Sequence, residues 1–207
     1  MANVIKLRKG LNIHLKGTAA QTKRVVGACT EYVVRPDTFE GVVPKLVVHE
    51  GDRVDVGDAL FVDKNFPEVR FASPVSGTVK AVERGERRKI LGIRLQADEV
   101  QKYHDFGRRD VSSLSSDDVK NALLEAGLFG YIYQLPYTVS TNPQTMPKAI
   151  FVSALRDMPL ANDFEYELQG NERDFQTGLT ALSKMATTYL GIGKNQKADV
   201  LVNAKDV

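Results

Sequence analysis

One cysteine, Cys29, is all the thiol chemistry in this chain. A lone thiol closes no internal disulfide, and it holds neither an iron–sulfur cluster nor a cysteine-rich zinc site, each of which needs several thiolates. The shortage suits a reducing, cytosol-like compartment. Histidine is scarce too: His14, His49 and His104 stand far apart with no second ligand at metal-binding spacing, so each is read as structural and no metal site is expected. Charge of one sign is not in excess. Twenty-eight Lys and Arg face 26 Asp and Glu for a net charge of +2, without the basic surplus of a polyanion binder, so nucleic acid is not an expected partner. No apolar run approaches the roughly 18 residues of a transmembrane helix. The segment Met1 to Lys9 is charged too early for a secretory signal, and the chain itself is expected not to cross a membrane. No Gly-x-Ser-x-Gly elbow occurs, and Cys29, between Ala28 and Thr30, reads as a small core residue and not as a nucleophile.

What is present is a soluble composition, 43% hydrophobic and 26% charged over 207 residues, enough for one large domain or two modest ones without covalent staples. Through Gln96 the pattern is short β-rich runs broken by glycine turns, in two related halves. The first runs from Lys45 to Val62 with Gly51-Asp52 and Gly57-Asp58 turns between alternating apolar positions, and the second from Val69 to Val82 around Ser73-Pro74-Val75-Ser76-Gly77. Joined by a hairpin at Asp63 to Glu68, they are expected to close over a shared core as a small sandwich.

Beyond it, Ser115-Ser116-Asp117-Asp118 predicts a capped helix start, and Gly127 its stop. The prolines between Asn142 and Pro147 read as a linker. Ala149 to Leu155 and Ala198 to Val202 read as strands covered on both faces, with Phe175, Leu179, Leu182, Ala186 and Tyr189 at helical spacing between them, which predicts β-α-β. One such unit cannot cover both faces of its sheet, and the sequence ends five residues after Val202, so a longer parent chain is expected. The fold class expected is therefore mixed α+β and α/β: a β-rich domain over 1–110, a helix and linker over 111–148, and the truncated start of a Rossmann-like domain over 149–207.

Several stretches carry candidate chemistry. Asp117 and Asp118 are better explained by helix capping than by acid–base catalysis. Gly191-Ile192-Gly193-Lys194-Asn195-Gln196 has the opening of a dinucleotide fingerprint, but it lacks a third glycine and reads as following a helix, so no pyrophosphate cradle is expected. Arg156 to Leu160, after the first strand, has no glycine to admit a phosphate. The glycine-aspartate sandwich resembles biotinyl and lipoyl carrier domains in barrel-sandwich form. Lys64 is the candidate for modification, although it sits two positions before the place carriers use, where this chain has Phe66. Arg84, Arg87, Arg88 and Lys89 form a basic cluster that is a solvated face or a contact for an acidic partner or anionic leaflet. Phe129 to Tyr137 holds three of the seven tyrosines, and Phe129, Tyr131, Tyr133, Leu135 and Tyr137 fall on one face of an extended segment. Aromatic rings, hydroxyls and Gln134 supply what a quinone ring needs, flat apolar surface and donors to its carbonyls, and they equally suit ordinary packing.

Ile5-Lys6-Leu7-Arg8-Lys9-Gly10-Leu11-Asn12-Ile13, the run Gly51 to Val54 and on to Leu60-Phe61-Val62-Asp63-Lys64-Asn65, Ala72 to Gly77, Arg84 to Arg88, and Ala149 to Ala154 with Pro159-Leu160-Ala161 together resemble the NqrA family, a component of the bacterial Na+-translocating NADH:quinone reductase (Nqr), across essentially the whole chain. The resemblance implies a peripheral subunit on the cytoplasmic face of the bacterial inner membrane, with indirect or peripheral membrane contact. It would be docked on the other Nqr subunits, in an oxidoreductase and translocase that passes electrons from NADH to ubiquinone-type quinones in the respiratory chain while exporting sodium. It implies that this chain binds no cofactor, with flavins, the iron–sulfur centre and NADH on partner subunits, and that quinone is its candidate substrate. The segment matching the family's quinone-linked region is Ile132 to Val139, which makes Tyr133, Gln134, Pro136 and Tyr137 the candidate quinone-binding residues. Leu135 stands where many members have arginine, and His14 where they have proline. Two other readings remain, a purely structural scaffold and a carrier module modified at Lys64.

Overall fold

Two turns of the same design start the β-rich domain. In His49-Glu50-Gly51-Asp52 and in Asp55-Val56-Gly57-Asp58 the glycine takes a left-handed φ, +93° and +101°, which a residue without Cβ adopts at little steric cost. The aspartate that follows accepts, on Oδ2, the backbone N–H three residues back, from His49 at 2.7 Å and from Asp55 at 2.8 Å. Each Gly-Asp pair then exchanges two backbone bonds with one residue across the sandwich, Gly51 and Asp52 with Val79, Gly57 and Asp58 with Ser73.

The computed structural model describes residues 15–17, 19–155, 158 and 160–207. His14, the family-like segment Ile5 to Ile13, and Arg156, Asp157 and Pro159 lie outside them. The first seven strands are β1 (Glu31–Val34), β2 (Pro44–Leu46), β3 (Arg53–Val54), β4 (Ala59–Asp63), β5 (Arg70–Ala72), β6 (Gly77–Arg84) and β7 (Ile90–Ala97). They form two antiparallel sheets, one in the order β1-β7-β6-β3 and one in the order β2-β4-β5. This is the expected sandwich, with the expected hairpin between β4 and β5. Between the sheets Leu60, Phe61, Val69, Phe71, Val79, Ile93 and Leu95 are all at most 1% exposed. Phe61 stacks on Phe71 at 4.5 Å, and Phe39 closes the cluster at 4.4 Å from Phe71. Cys29 does not join this core: it is exposed, in the stretch that precedes β1, so its reading as a buried small residue is corrected.

Residues after β7 return over the second turn. Val56 donates to the carbonyl of Lys102, and His104 donates its backbone N–H to Val56, each at 2.8 Å. The fully buried Ser76 donates its hydroxyl to Asp98 Oδ2 at 3.1 Å and accepts the Lys102 N–H at 2.9 Å, while Arg53 forks onto both Asp98 oxygens.

Helix α1 (Ser116–Glu125) starts where the sequence placed it. Ser115 is the N-cap, its Oγ accepting the Asp118 N–H at 3.2 Å while Asp118 accepts the Ser115 N–H at 2.9 Å, a reciprocal capping box. Gly127 ends it at φ +69°, so close to β5 that a Cβ there would meet Ala72 at 2.9 Å. Leu124 and Phe129 complete the sandwich core.

After a two-stranded hairpin, β8 (Tyr133–Gln134) and β9 (Val139–Ser140), comes the α/β unit: β10 (Ile150–Ser153), α2 (Phe164–Leu168), α3 (Glu172–Met185), β11 (Thr188–Gly191) and α4 (Asp199–Val202). The β-α-β is present, with β10 and β11 parallel and Phe151 opposite Tyr189, but its second strand is not the predicted one. Ala198 to Val202 is not a strand: Asp199–Val202 forms the short helix α4, and Tyr189 belongs to the strand, not to the helix before it. The physical reason is local. Glu165 Oε1 accepts the N–H groups of both Lys197 and Ala198, capping the turn that α4 begins, and Leu201 drops into a small core with Ala154 and Leu168. A five-residue apolar run has no period long enough to separate the two structures. Nor is β10 covered on both faces: its residues alternate, and Phe151 is 69% exposed. The opposite end of α3 ties the two cores together, because Met185 packs against the sandwich core and Lys184 Nζ donates to the Ser112 carbonyl at 3.1 Å.

Candidate functional site

Phe129 anchors the aromatic segment. It is 3% exposed in the sandwich core, and Gly130 behind it leaves no room for a side chain, since a Cβ would lie 2.5 Å from the Phe71 ring. Phe129–Tyr131 turns once as a 3-10 helix, which sets the Tyr131 ring edge-on to Phe39 at 5.0 Å. Burial pushes the Tyr131 hydroxyl above the usual tyrosine range, and neighbouring Tyr133 adds to the shift. The chain then pairs Tyr133 with Ser140 and Gln134 with Val139 in the β8–β9 hairpin. The Ser140 N–H reaches the Glu40 carbonyl at 2.9 Å, and Val139 lies against Gly41, so the hairpin is seated on the sandwich.

Between this hairpin and the open face of the α/β unit runs a groove of about 1130 Å³. Tyr131, Tyr133, Gln134 and Leu135 form one wall, Phe151 and Tyr189 the other, and Met146 and Pro147 of the linker its end. Phe151 and Tyr189 are stacked at 5.4 Å with only 18° between their planes. Lys120 and Asp117 of α1, 3.4 Å apart, bring charge to the rim. Among the described residues, two buried side-chain polar atoms have no hydrogen-bond partner, Gln134 Nε2 and Ser140 Oγ, both in this hairpin. A buried donor left unpaired is expensive.

The four candidate quinone residues are therefore divided. Tyr133 and Gln134 line the groove, whereas Pro136 and Tyr137 sit in the exposed turn of the hairpin and do not line it. The single extended face over residues 129–137 is not formed. The 3-10 turn at Phe129–Tyr131 breaks the two-residue period, and the chain reverses after Gln134, leaving Phe129 buried and Tyr137 82% exposed. Phe151, Tyr189 and Met146 escaped the sequence reading. An apolar residue on a strand reads as core, and Tyr189 fits a helical period as well as a strand.

The other candidates are placed as follows. Lys64 is exposed in the β4–β5 turn, its N–H bonded to the Val43 carbonyl at 2.7 Å, with the buried Asp63 carboxylate accepting the N–H of Asn65 beside it. Asp118 is a helix cap, as read. His49 and His104 lie beside single carboxylates, Asp52 at 3.5 Å and Asp58 at 2.9 Å, and no group of three or more potential metal ligands occurs among the described residues. The glycine loop from Gly191 follows a strand, not a helix, which corrects its reading. Its backbone donor is already engaged: the Gly193 N–H donates to Gln196 Oε1 at 2.5 Å, and Gln196 Nε2 donates to the Ala154 carbonyl at 2.9 Å. No helix among the described residues is long and apolar enough to cross a membrane.

Residues 5–98 match the NqrA N-terminal barrel-sandwich hybrid domain, and residues 114–207 match the NqrA second alpha/beta domain. The chain belongs to the NqrA family. It is similar to the NqrA subunit of the Na(+)-translocating NADH-quinone reductase of Yersinia pseudotuberculosis serotype O:1b, 33% identical over 184 residues, which is 88% of this chain and 41% of that protein. The same-named NqrA proteins of Pseudomonas aeruginosa strain UCBPP-PA14 and Actinobacillus pleuropneumoniae serotype 5b are 31% and 35% identical, over 90% and 88% of this chain and 42% and 41% of theirs. The chain spans about two fifths of the length of these NqrA relatives. The family's two domains are those seen here, so the expected barrel-sandwich hybrid followed by an α/β domain is borne out.

Proposed function

We propose that this chain serves as a peripheral part of a Na+-translocating NADH:quinone reductase on the cytoplasmic face of the inner membrane, assembled with the other components of that complex, and that its interdomain groove holds the quinone ring. NADH, the flavins and the iron–sulfur centre belong to partner subunits in this reading, and the chain's task is to bind and orient. The observation that carries the quinone assignment is the pair of aromatic walls beside Gln134, whose Nε2 is buried without a partner. A quinone carbonyl is an acceptor with no proton of its own, which is what an unpaired amide N–H needs. The Tyr131 and Tyr133 rings on one wall and the Phe151–Tyr189 stack on the other supply flat apolar surface for the ring.

A titration with a short-tailed quinone tests this. The chain has seven tyrosines and no tryptophan, so intrinsic fluorescence reports on tyrosines, two of them in the groove wall beside Gln134. Saturable quenching is expected, weakened about tenfold by Gln134→Leu, the worth of one hydrogen bond, and also weakened by Tyr133→Ala, with unchanged circular dichroism. Wild-type affinity in both variants would remove the quinone assignment.

One observation favours a scaffold role. Phe151 and Tyr189 are 69% and 52% exposed on the open face of a two-stranded sheet, an apolar surface suited to contact with another part of the complex. A complex lacking this chain that still reduced quinone at the normal rate would select that reading. A carrier role predicts a mass above that of the unmodified sequence, through Lys64.

A further inference from the structure

The hairpin between β6 and β7 carries a cluster of basic side chains. Arg84, Arg87, Arg88 and Lys89 with the single carboxylate Glu86 give its tip a net charge of +3. The neighbouring carboxylates are engaged elsewhere: Glu83 with Arg94, Glu31 with Lys80 and Arg94, Asp37 with Arg35. All four cations of the tip are exposed, and no carboxylate pairs with any of them among the described residues. Arg87 and Arg88 both take left-handed backbone conformations, φ +53° and +62°, unusual for residues with a Cβ, and Arg84 Nη1 donates to the Arg88 carbonyl at 3.3 Å across the turn. Beside them Leu91 is 40% exposed, an aliphatic side chain against Gly85 at the foot of the tip.

We propose that the β6–β7 hairpin tip is an electrostatic contact for an anionic phospholipid surface. Unpaired cations with one exposed aliphatic side chain suit a diffuse negative surface. Each basic residue near such a surface strengthens partitioning about fivefold. An acidic protein partner would instead reward a fixed pattern of paired carboxylates. The inference rests on the reading of the chain as part of a membrane complex, but it is tested apart from quinone and partner subunits.

The experiment is co-sedimentation of the 207-residue chain with vesicles of equal parts phosphatidylglycerol and phosphatidylcholine, and with vesicles of phosphatidylcholine alone. Binding is expected to the first and not the second, and to weaken as NaCl rises. Arg87→Ala with Arg88→Ala should lower partitioning about thirtyfold. Lys194→Ala with Lys197→Ala removes the same charge from the α/β unit and should leave binding within about twofold. Equal binding to both vesicle types, or equal loss in the two double variants, would overturn the proposal. So would a tip variant that keeps vesicle binding but fails to assemble with partner subunits, which would assign the tip to a protein. Failure of the quinone titration would leave this proposal standing.

Discussion

Asp58 and His104 are latched together, Oδ1 to Nδ1 at 2.9 Å, while Oδ2 of the same aspartate accepts the Asp55 N–H at 2.8 Å. Asp52, at the equivalent place in the first turn, has the second bond and only a loose approach to His49, 3.5 Å away. Two turns built alike thus carry different loads. The second is held from outside by the segment that leaves the sandwich, with the Phe106 ring packed against His104 at 4.5 Å.

The two glycines should report this difference. An added Cβ at Gly51 meets nothing within 4 Å, but at Gly57 it would lie 2.9 Å from the Phe106 ring and 3.2 Å from His104. Gly51→Ala is expected to cost about 1–2 kcal/mol, the strain of a left-handed alanine, and Gly57→Ala roughly twice that because the latch must also move. Urea unfolding of the two variants gives the comparison.

Removing the α1 cap should be felt in stability. Ser115→Ala deletes the hydroxyl that accepts the Asp118 N–H and is expected to lower stability by about 1 kcal/mol. A Ser115→Thr variant, which keeps a hydroxyl able to accept the Asp118 N–H and donate to its carboxylate, should recover most of the loss in the same urea experiment.

Acid should loosen the link between β3 and the segment after β7. The Arg53 guanidinium, helped by the Ser76 hydroxyl, holds the Asp98 carboxyl below its usual range. A carboxyl lowered by folding stabilises the fold fully above its unfolded value, about 4, and that contribution fades as pH falls from there through the lower folded value. Comparing urea midpoints at about pH 5 and about pH 3, the wild type should lose more than Asp98→Asn, whose amide does not titrate.

Within the aromatic segment the groove discriminates neighbours. Tyr133→Ala should weaken quinone binding, whereas Tyr137→Ala and Pro136→Ala, in the exposed turn outside the groove wall, should stay within about twofold of wild type. Fluorescence titrations of the three variants decide whether the groove or the turn holds the ligand.

The sandwich was readable because its signals are local and redundant. Gly-Asp turns, alternating apolar positions and Ser115 with Asp118 each dictate a backbone conformation within four residues, and each appears in the structure. The α/β unit was half readable. A helix of fourteen residues has periods enough to show itself, but Thr188–Gly191 and Asp199–Val202 have four residues each, and tertiary partners such as Glu165 decide which becomes strand and which helix. The groove was least readable. Tyr133 and Gln134 drew notice as residues, but their opposite wall, Phe151 and Tyr189, comes from two strands set in register only by folding.

The closed loop at the end of β11 makes the α/β unit a competitor for its own polar sites. Gln196 engages the Gly193 N–H and the Ala154 carbonyl, and Glu165 engages the N–H groups of Lys197 and Ala198. Side chains tethered this closely act at effective concentrations of at least the millimolar order. A nucleotide phosphate that sought the N–H groups of Gly193, Lys197 or Ala198 would have to displace the side chain already holding each.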